Sequence, residues 1–300
     1  MAYRIDLAHD LDASVRRIAG EQLAAAVAVL FDQPGGPHEA IHDARKHIKR
    51  TRALYRLIAA GDKRFAATEN VRLRTIATDL SHLRDAAALT ETARYLETQL
   101  GKGELATIIG ALRVALEGRR ERVAGRKAGV NAHLESAAGD LRAAIDALDA
   151  LSLRHGRRQM ANCLRLGWEK TGKRARQALS ACAKAGAVDE EPFHDLRKRT
   201  QDRWMQASLL RDIWPVAMIS IQRSAKFLVE QLGHEHDLAV LDAYVATSDD
   251  AAVQDGRDVL HLAIAEQRHA LQLASQALAK DLYAGDPDRD ARILGRLIRG

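Results

Sequence analysis

The motif His42-Asp43-x-Arg45-Lys46 returns as His194-Asp195-x-Arg197-Lys198, 152 residues later. Leu80-Ser81-His82-Leu83-Arg84-Asp85 returns at the same offset as Leu232-Gly233-His234-Glu235-His236-Asp237. Two separated motifs that share one offset leave no room for a net insertion between them, so the chain reads as a tandem duplication. Each copy then places its first motif on a second helix and its second motif on a third. The expectation is two similar four-helix bundles related by a pseudo-twofold axis, one in residues 1–128 and one in 129–300.

Around these motifs apolar residues recur at helical spacing, and no window alternates β-branched and polar residues long enough to suggest a sheet. Breakers cut the chain into long segments. Asp32 to Pro37 ends the first helix, Gly61 the second, Gly101 the third, and a fourth runs to about Gly125. A second set begins near Asn131, with breaks at His155, Ala185 to Pro192, Trp214, Thr247 and Gly285. Helices this long on loops this short pack side by side as bundles. A 47% hydrophobic fraction supplies the core, and 29% charged residues with only 5 prolines suit helices with solvated faces. The fold expected is all-α.

The apolar run from Leu23 to Leu30 falls far short of the roughly 20 residues that span a bilayer, and the opening MAYRIDLAHD has no apolar signal core. A soluble, cytoplasmic protein is expected. Cys163 and Cys182 form no C-x-x-C pair and share one expected helix, which fits two buried or idle thiols in a reducing compartment.

The charge of the chain is concentrated in its second helix. With His42 set at zero and about 100° per residue, Lys49 falls at about −20°, Arg56 at about −40°, Arg45 at about −60° and Lys46 at about +40°. Arg50 and Arg52 flank this stripe, and Ala44, Ile48, Thr51, Tyr55 and Ile58 form the opposite, packing side. Like charges one turn apart cost a helix a few tenths of a kcal/mol per pair, and Asp43 alone lies in the run to relieve them. Solvated faces normally mix both signs; this one calls for an anion. In the second copy His194, Arg197 and Lys198 are kept, while Gln201, Trp204 and Ser208 replace Lys49, Arg52 and Arg56. Lys170, Lys173 and Arg174 make another stripe on a later helix. With 46 bases against 40 acids, a net charge of +6 hides local positive potential able to focus a polyanion if the stripes converge on one groove.

The bases beside His42 and His194 should hold both rings neutral near pH 7, either as direct ligands or as hydrogen-bond partners across a helix interface or to Asp43 and Asp195. His234 and His236 point about 200° apart on a helix and cannot chelate one ion. His38 and His42 have i,i+4 spacing, but His38 follows the helix-starting Pro37, and Lys46 would crowd a cation. Arg84-Asp85 and His236-Asp237 read as anion contacts or interhelical ion pairs. No P-loop, dinucleotide fingerprint, nucleophile elbow or paired-acid arrangement occurs, so neither catalysis nor a metal or other cofactor is expected.

The run HDxRKxxKRxR from His42 to Arg52, its repeat HDLRKR from His194, the motifs ending at Asp85 and Asp237, GWEKTGKRAR from Gly167 and the tail LYAGDPDRDARIL from Leu282 together resemble the CHAD family, the conserved histidine α-helical domain. The resemblance implies two pseudo-symmetric helical bundles around a basic groove that binds inorganic polyphosphate without turning it over, at cytoplasmic polyphosphate granules. It maps His42, Arg45, Lys46, Lys49, Arg52 and Arg56 onto the first family motif and His194, Arg197 and Lys198 onto the second. Gln201 stands where the family pattern expects Lys, and Gly172 where it expects Tyr, which implies a weaker grip by the second bundle. Arg84, His236, Lys170, Lys173 and Arg174 complete the expected polyphosphate site. The runner-up is a nucleic-acid binder, disfavoured because aromatics make up 4% of the chain and Tyr55 faces the apolar side. A histidine phosphocarrier or metal-dependent phosphohydrolase ranks third, and no membrane or obligate protein partner is expected.

Overall fold

The computed structural model describes residues 3–81, 85–124, 127–184 and 189–300, without the side chains of 85–87, 121–124, 127, 128 and 252. Every regular element among the described residues is helical. The first copy contains α1 (Leu11–Asp32), α2 (Pro37–Ile58), α3 (Lys63–Ser81), α4 (Asp85–Leu100), α5 (Gly103–Ala124) and α6 (Lys127–Asp146). A 3-10 turn at Ala147–Ala150 leads to α7 (Arg157–Cys182), α8 (Glu190–Leu209), α9 (Pro215–Thr247), α10 (Ala251–Gln254), α11 (Arg257–Leu282) and α12 (Pro287–Arg299). Many helix ends fall at the expected breakers, but the third helix expected to end at Gly101 is two, α3 and α4, and the short α10 follows the break at Thr247. Gln33 takes a left-handed conformation (φ 44°) just after α1, and α2, α9 and α12 each begin on a proline whose missing N–H is not needed there. The Asp286 carboxylate accepts the Asp288 N–H and caps α12.

Helices related by the sequence offset make similar contacts. At the 152-residue offset α1 falls on α7, α2 on α8, α5 on α11 and α6 on α12, while α3 and α4 fall together on α9. The contacts α1 on α2, α2 on α3, α4 on α5 and α1 on α6 recur as α7 on α8, α8 on α9, α9 on α11 and α7 on α12. The core does not part at residues 128 and 129. Helix α6 packs on α1 and α3, and its Leu134, Ala137, Leu141 and Ala144 share one core with α1 and α2. A second cluster mixes the copies, bringing Leu96 of α4 and Leu112 of α5 against Leu241 of α9 and Ile264 of α11. A third joins α7, α8, α9 and α11 around Phe193, Leu228 and Leu232.

These cores fix the orientation of the basic helix. Ala44, Ile48, Thr51, Tyr55 and Ile58 are all fully buried, as their spacing predicts; burying a side chain such as Ile48 contributes about 2 kcal/mol. Tyr55 also meets Phe65 of α3 edge-on, with ring centroids 5.2 Å apart. The far end of α2 presses against α7 at Gly167, where a Cβ would run into the Leu57 carbonyl. Only glycine lets the two backbones approach this closely.

Candidate anion-binding cleft

The Gly167 crossing brings the end of α2 beside the middle of α7, and α8 closes the third side. Arg56 of α2 and Ala59 just after it, Lys170, Thr171 and Arg174 of α7, and Arg199 and Asp202 of α8 line one cleft. Of the sequence-predicted residues, Arg56, Lys170 and Arg174 thus meet although 114 residues separate the first two in the chain. Four cations face one acid. That acid is buried: Asp202 is 5% exposed and takes a hydrogen bond from Arg56 Nη1 at 2.5 Å. Burial raises the Asp202 pKa, against the pull of Arg56 and the more distant Arg199 and Arg52. Arg199 bridges to Asp195 one turn back at 2.8 Å, whereas Lys170 and Arg174 are exposed and have no ion pair among the described residues.

Positive charge continues along α2. Burial lowers the Arg52 pKa to about 10, and Arg56, Arg74 and Arg45 push the same way while Asp202 opposes them. Its Nε is buried without a hydrogen-bond partner. A guanidinium crowded by three others, and only partly answered by one carboxylate, is an unfinished electrostatic arrangement that an anion would complete. Arg45 donates to the Ala77 carbonyl of α3, so part of its donor set fixes helix packing. Lys46 and His42 are exposed and Lys49 is half-buried on the same helix.

The second motif builds a different local structure. His194 of α8 stacks on His236 of α9 with centroids 4.8 Å apart, and its Nδ1 is buried without a partner. Burial, then Lys198, His236 and Arg197, lower the His194 pKa to about 4. The ring is neutral at pH 7, as expected, though burial outweighs the neighbouring bases as the cause. His236 is lowered as well, by burial first and Arg197 second. Arg197 itself is half-buried over Gly233, whose missing side chain leaves room for the guanidinium, with Asp237 and Glu235 nearby. Lys198 is exposed and sits 3.8 Å from Glu191. His234 turns the other way and stacks at 4.0 Å on Tyr95 of α4. The two histidines of this segment therefore serve different helices. No group of three metal-capable side chains occurs among the described residues.

Two predicted residues stand apart. Lys173 is held at 2.7 Å by both Glu169 and Asp288, which staples α7 to α12 and leaves little of its charge for a ligand. Arg84 lies outside the described residues. Gly172, where the family pattern expects Tyr, is filled from outside: a Cβ would meet Pro287 of α12 at 3.1 Å, with Arg203 beside it. Sequence reasoning missed Arg199, Asp202 and Arg74. Arg199 lay within the quoted HDLRKR run, and Asp202 corresponds at the 152-residue offset to Arg50, so a column-by-column comparison of the copies carries that signal.

No curated protein matches the chain. Among solved structures it is similar to PptA from Streptomyces chartreusis, with 14% identity, a TM-score of 0.57, and coverage of 92% of this chain and 100% of that one. At that identity the likeness is one of fold. Among the described residues no helix is long and apolar enough to cross a membrane. The family model of the CHAD domain matches residues 17–246, which take in both histidine motifs and every helix that lines the cleft, and the chain belongs to the CHAD family.

Proposed function

We propose that this protein binds inorganic polyphosphate without turning it over, and through that binding associates with polyphosphate granules. The observation that carries this reading is the meeting of Arg56, Lys170, Arg174 and Arg199 from three helices around one buried acid, continued along α2 by Arg52. A linear chain of anionic oxygens suits such a row, with arginines offering forked hydrogen bonds and lysines compact charge. The polyphosphate specificity rests on family membership; the cleft supplies the polyanion chemistry. Nothing among the lining residues presents an aromatic platform, which favours polyphosphate over single-stranded nucleic acid.

Titration of long-chain polyphosphate at increasing salt tests the reading. If about four phosphates are neutralised, affinity falls roughly 50-fold between about 50 and 200 mM salt. Lys170→Glu with Arg174→Glu is expected to weaken binding about tenfold or more. An affinity indifferent to both salt and these substitutions overturns the proposal. Displacement of polyphosphate by DNA or RNA at equal phosphate concentration exchanges it for a nucleic-acid interface. Release of phosphate from polyphosphate or ATP with Mg²⁺, or an acid-labile phosphohistidine, overturns the non-catalytic part.

A further inference from the structure

Helix α12 carries a second basic feature on a surface apart from the cleft. It packs on α7 through Pro287, Ala291, Leu294, Gly295 and Ile298, all buried. Arg289, Arg292, Arg296 and Arg299 are exposed. At about 100° per residue all four lie within about 80° of one another, on a flank roughly 120° from the packing face, and they span about 15 Å of helix. Asp288 of this helix is bound to Lys173, and Asp286 reaches only Arg292, at 3.9 Å between exposed groups. Arg289, Arg296 and Arg299 have no side-chain ion pair among the described residues. Where α12 ends, Arg157 donates to the Ile298 carbonyl, which sets the first turn of α7 and the exposed Arg158 beside the end of the stripe.

This stripe is not part of the repeated design. At the 152-residue offset Arg289, Arg292, Arg296 and Arg299 correspond to Ala137, Asp140, Ala144 and Ala147. The matched family region ends at residue 246, before α12 begins. An arginine row that is absent from its own duplicate, and in which Arg289, Arg296 and Arg299 have no ion pair among the described residues, is more than a solvated face, which mixes signs. Helix α12 lies against the side of α7 that bears Gly172 and Lys173, whereas the cleft opens on the side bearing Lys170, Thr171 and Arg174. The body of α7 lies between the two surfaces.

We infer that the α12 arginine row is a second polyanion contact, which engages polyphosphate chains long enough to reach beyond the cleft and so makes the protein select for length. The inference rests on the polyphosphate reading of the cleft and adds to it the class of chain preferred. A short chain fills the cleft alone; a long one also meets α12, and the second contact forms at high effective concentration.

The test compares a short oligophosphate with long-chain polyphosphate on the full chain. Arg289→Gln, Arg296→Gln and Arg299→Gln together are expected to lower long-chain affinity roughly ten- to a hundredfold, to flatten its salt dependence, and to leave short-chain affinity unchanged. Lys170→Glu with Arg174→Glu lowers both. A control with Arg223→Gln, Lys226→Gln and Lys280→Gln removes the same charge elsewhere and is expected to change neither length selectively. Equal loss for both lengths in the α12 variant, no loss for either, or the same selective loss in the control overturns the inference while the cleft reading stands. Indifference of both lengths to the α7 variant overturns the cleft reading instead.

Discussion

From His42 and from His194 onward, α2 and α8 share their opening turns and then diverge: where α2 continues with Lys49, Arg50, Arg52 and Arg56, α8 has Gln201, Asp202, Trp204 and Ser208. The later turns of α8 point into the molecule. Asp202, Arg203 and Gln206 are buried. Asp202 holds Arg56, Gln206 donates to the Ala53 carbonyl of α2, and Arg203 lies over the Trp168 ring while donating to its carbonyl. The later turns of α2 thus supply cations, Arg52 and Arg56, whereas the matching turns of α8 supply buried polar groups, of which Asp202 holds Arg56; the remaining cations of the cleft are Lys170 and Arg174 of α7 and Arg199 of α8. At matching positions one helix is cationic and its counterpart is polar and buried.

The sharpest way to break this contrast is at the crossing that brings the copies together. Position 167 in α7 corresponds to Val15 in α1, which is fully buried. Gly167→Val, making α7 like its counterpart, drives a branched side chain into the Leu57 carbonyl and is expected to cost about 3 kcal/mol; an unchanged denaturant midpoint contradicts the close approach. Next in size is Asp202→Ala, which leaves Arg56 and Arg52 without their buried carboxylate. A loss of about 2 kcal/mol at low salt is expected, partly restored by sulfate. Its counterpart, Arg50→Ala, removes a cation 5.7 Å from the Tyr3 ring and a long, 3.5 Å hydrogen bond to Gln22 Oε1, and is expected to stay within about 0.5 kcal/mol. Equal costs for the two would erase the asymmetry.

A smaller effect is expected from pH. Folded His194 resists protonation down to about pH 4, while the unfolded ring takes up a proton near its ordinary 6.5. Between those values the unfolded chain binds more protons, so stability falls as pH drops through the window and is level above it. The loss is about 1 kcal/mol after allowing for partial solvation. Equilibrium unfolding across that range measures it, and His194→Gln should flatten the curve; an unaltered slope assigns the acid sensitivity elsewhere. Smallest is the repair of α8: Gln201→Lys restores the residue found at Lys49 and is expected to raise polyphosphate affinity about two- to threefold. No gain, in a competition titration, means that α8 contributes nothing to binding beyond Arg199.

Much of this was legible in the sequence because the periodicities are strong. The apolar side of α2, from Ala44 to Ile58, is buried as its spacing predicts, and the shared offset anticipates that contacts of α1 with α2 recur between α7 and α8. A helical wheel gives the direction in which a side chain leaves its helix, but not what arrives to meet it. Arg45 and Lys173 therefore looked equivalent to Lys170, yet one caps a carbonyl of α3 and the other is held by two carboxylates. Asp202 and Arg199 escaped notice for the converse reason: an acid among bases on α8 gains meaning only when Arg56 is brought to it from α2. The placement of α6 was equally hidden, since its apolar stripe fits any partner and tertiary packing alone selects α1 and α3.

Helix α9 runs unbroken for 33 residues, about 50 Å at 1.5 Å per residue. Its Leu228 and Leu232 belong to one apolar cluster and its Leu238, Leu241 and Val245 to another, with His236 on the ladder between them. Neither cluster can fray as a private unit, because opening one end must either melt or displace the same rod that seats the other. Amide protons on both sides of His236 should therefore exchange as one cooperative block, and tightening the far cluster of α4, α5, α9 and α11 would steady the His194–His236 stack from a distance.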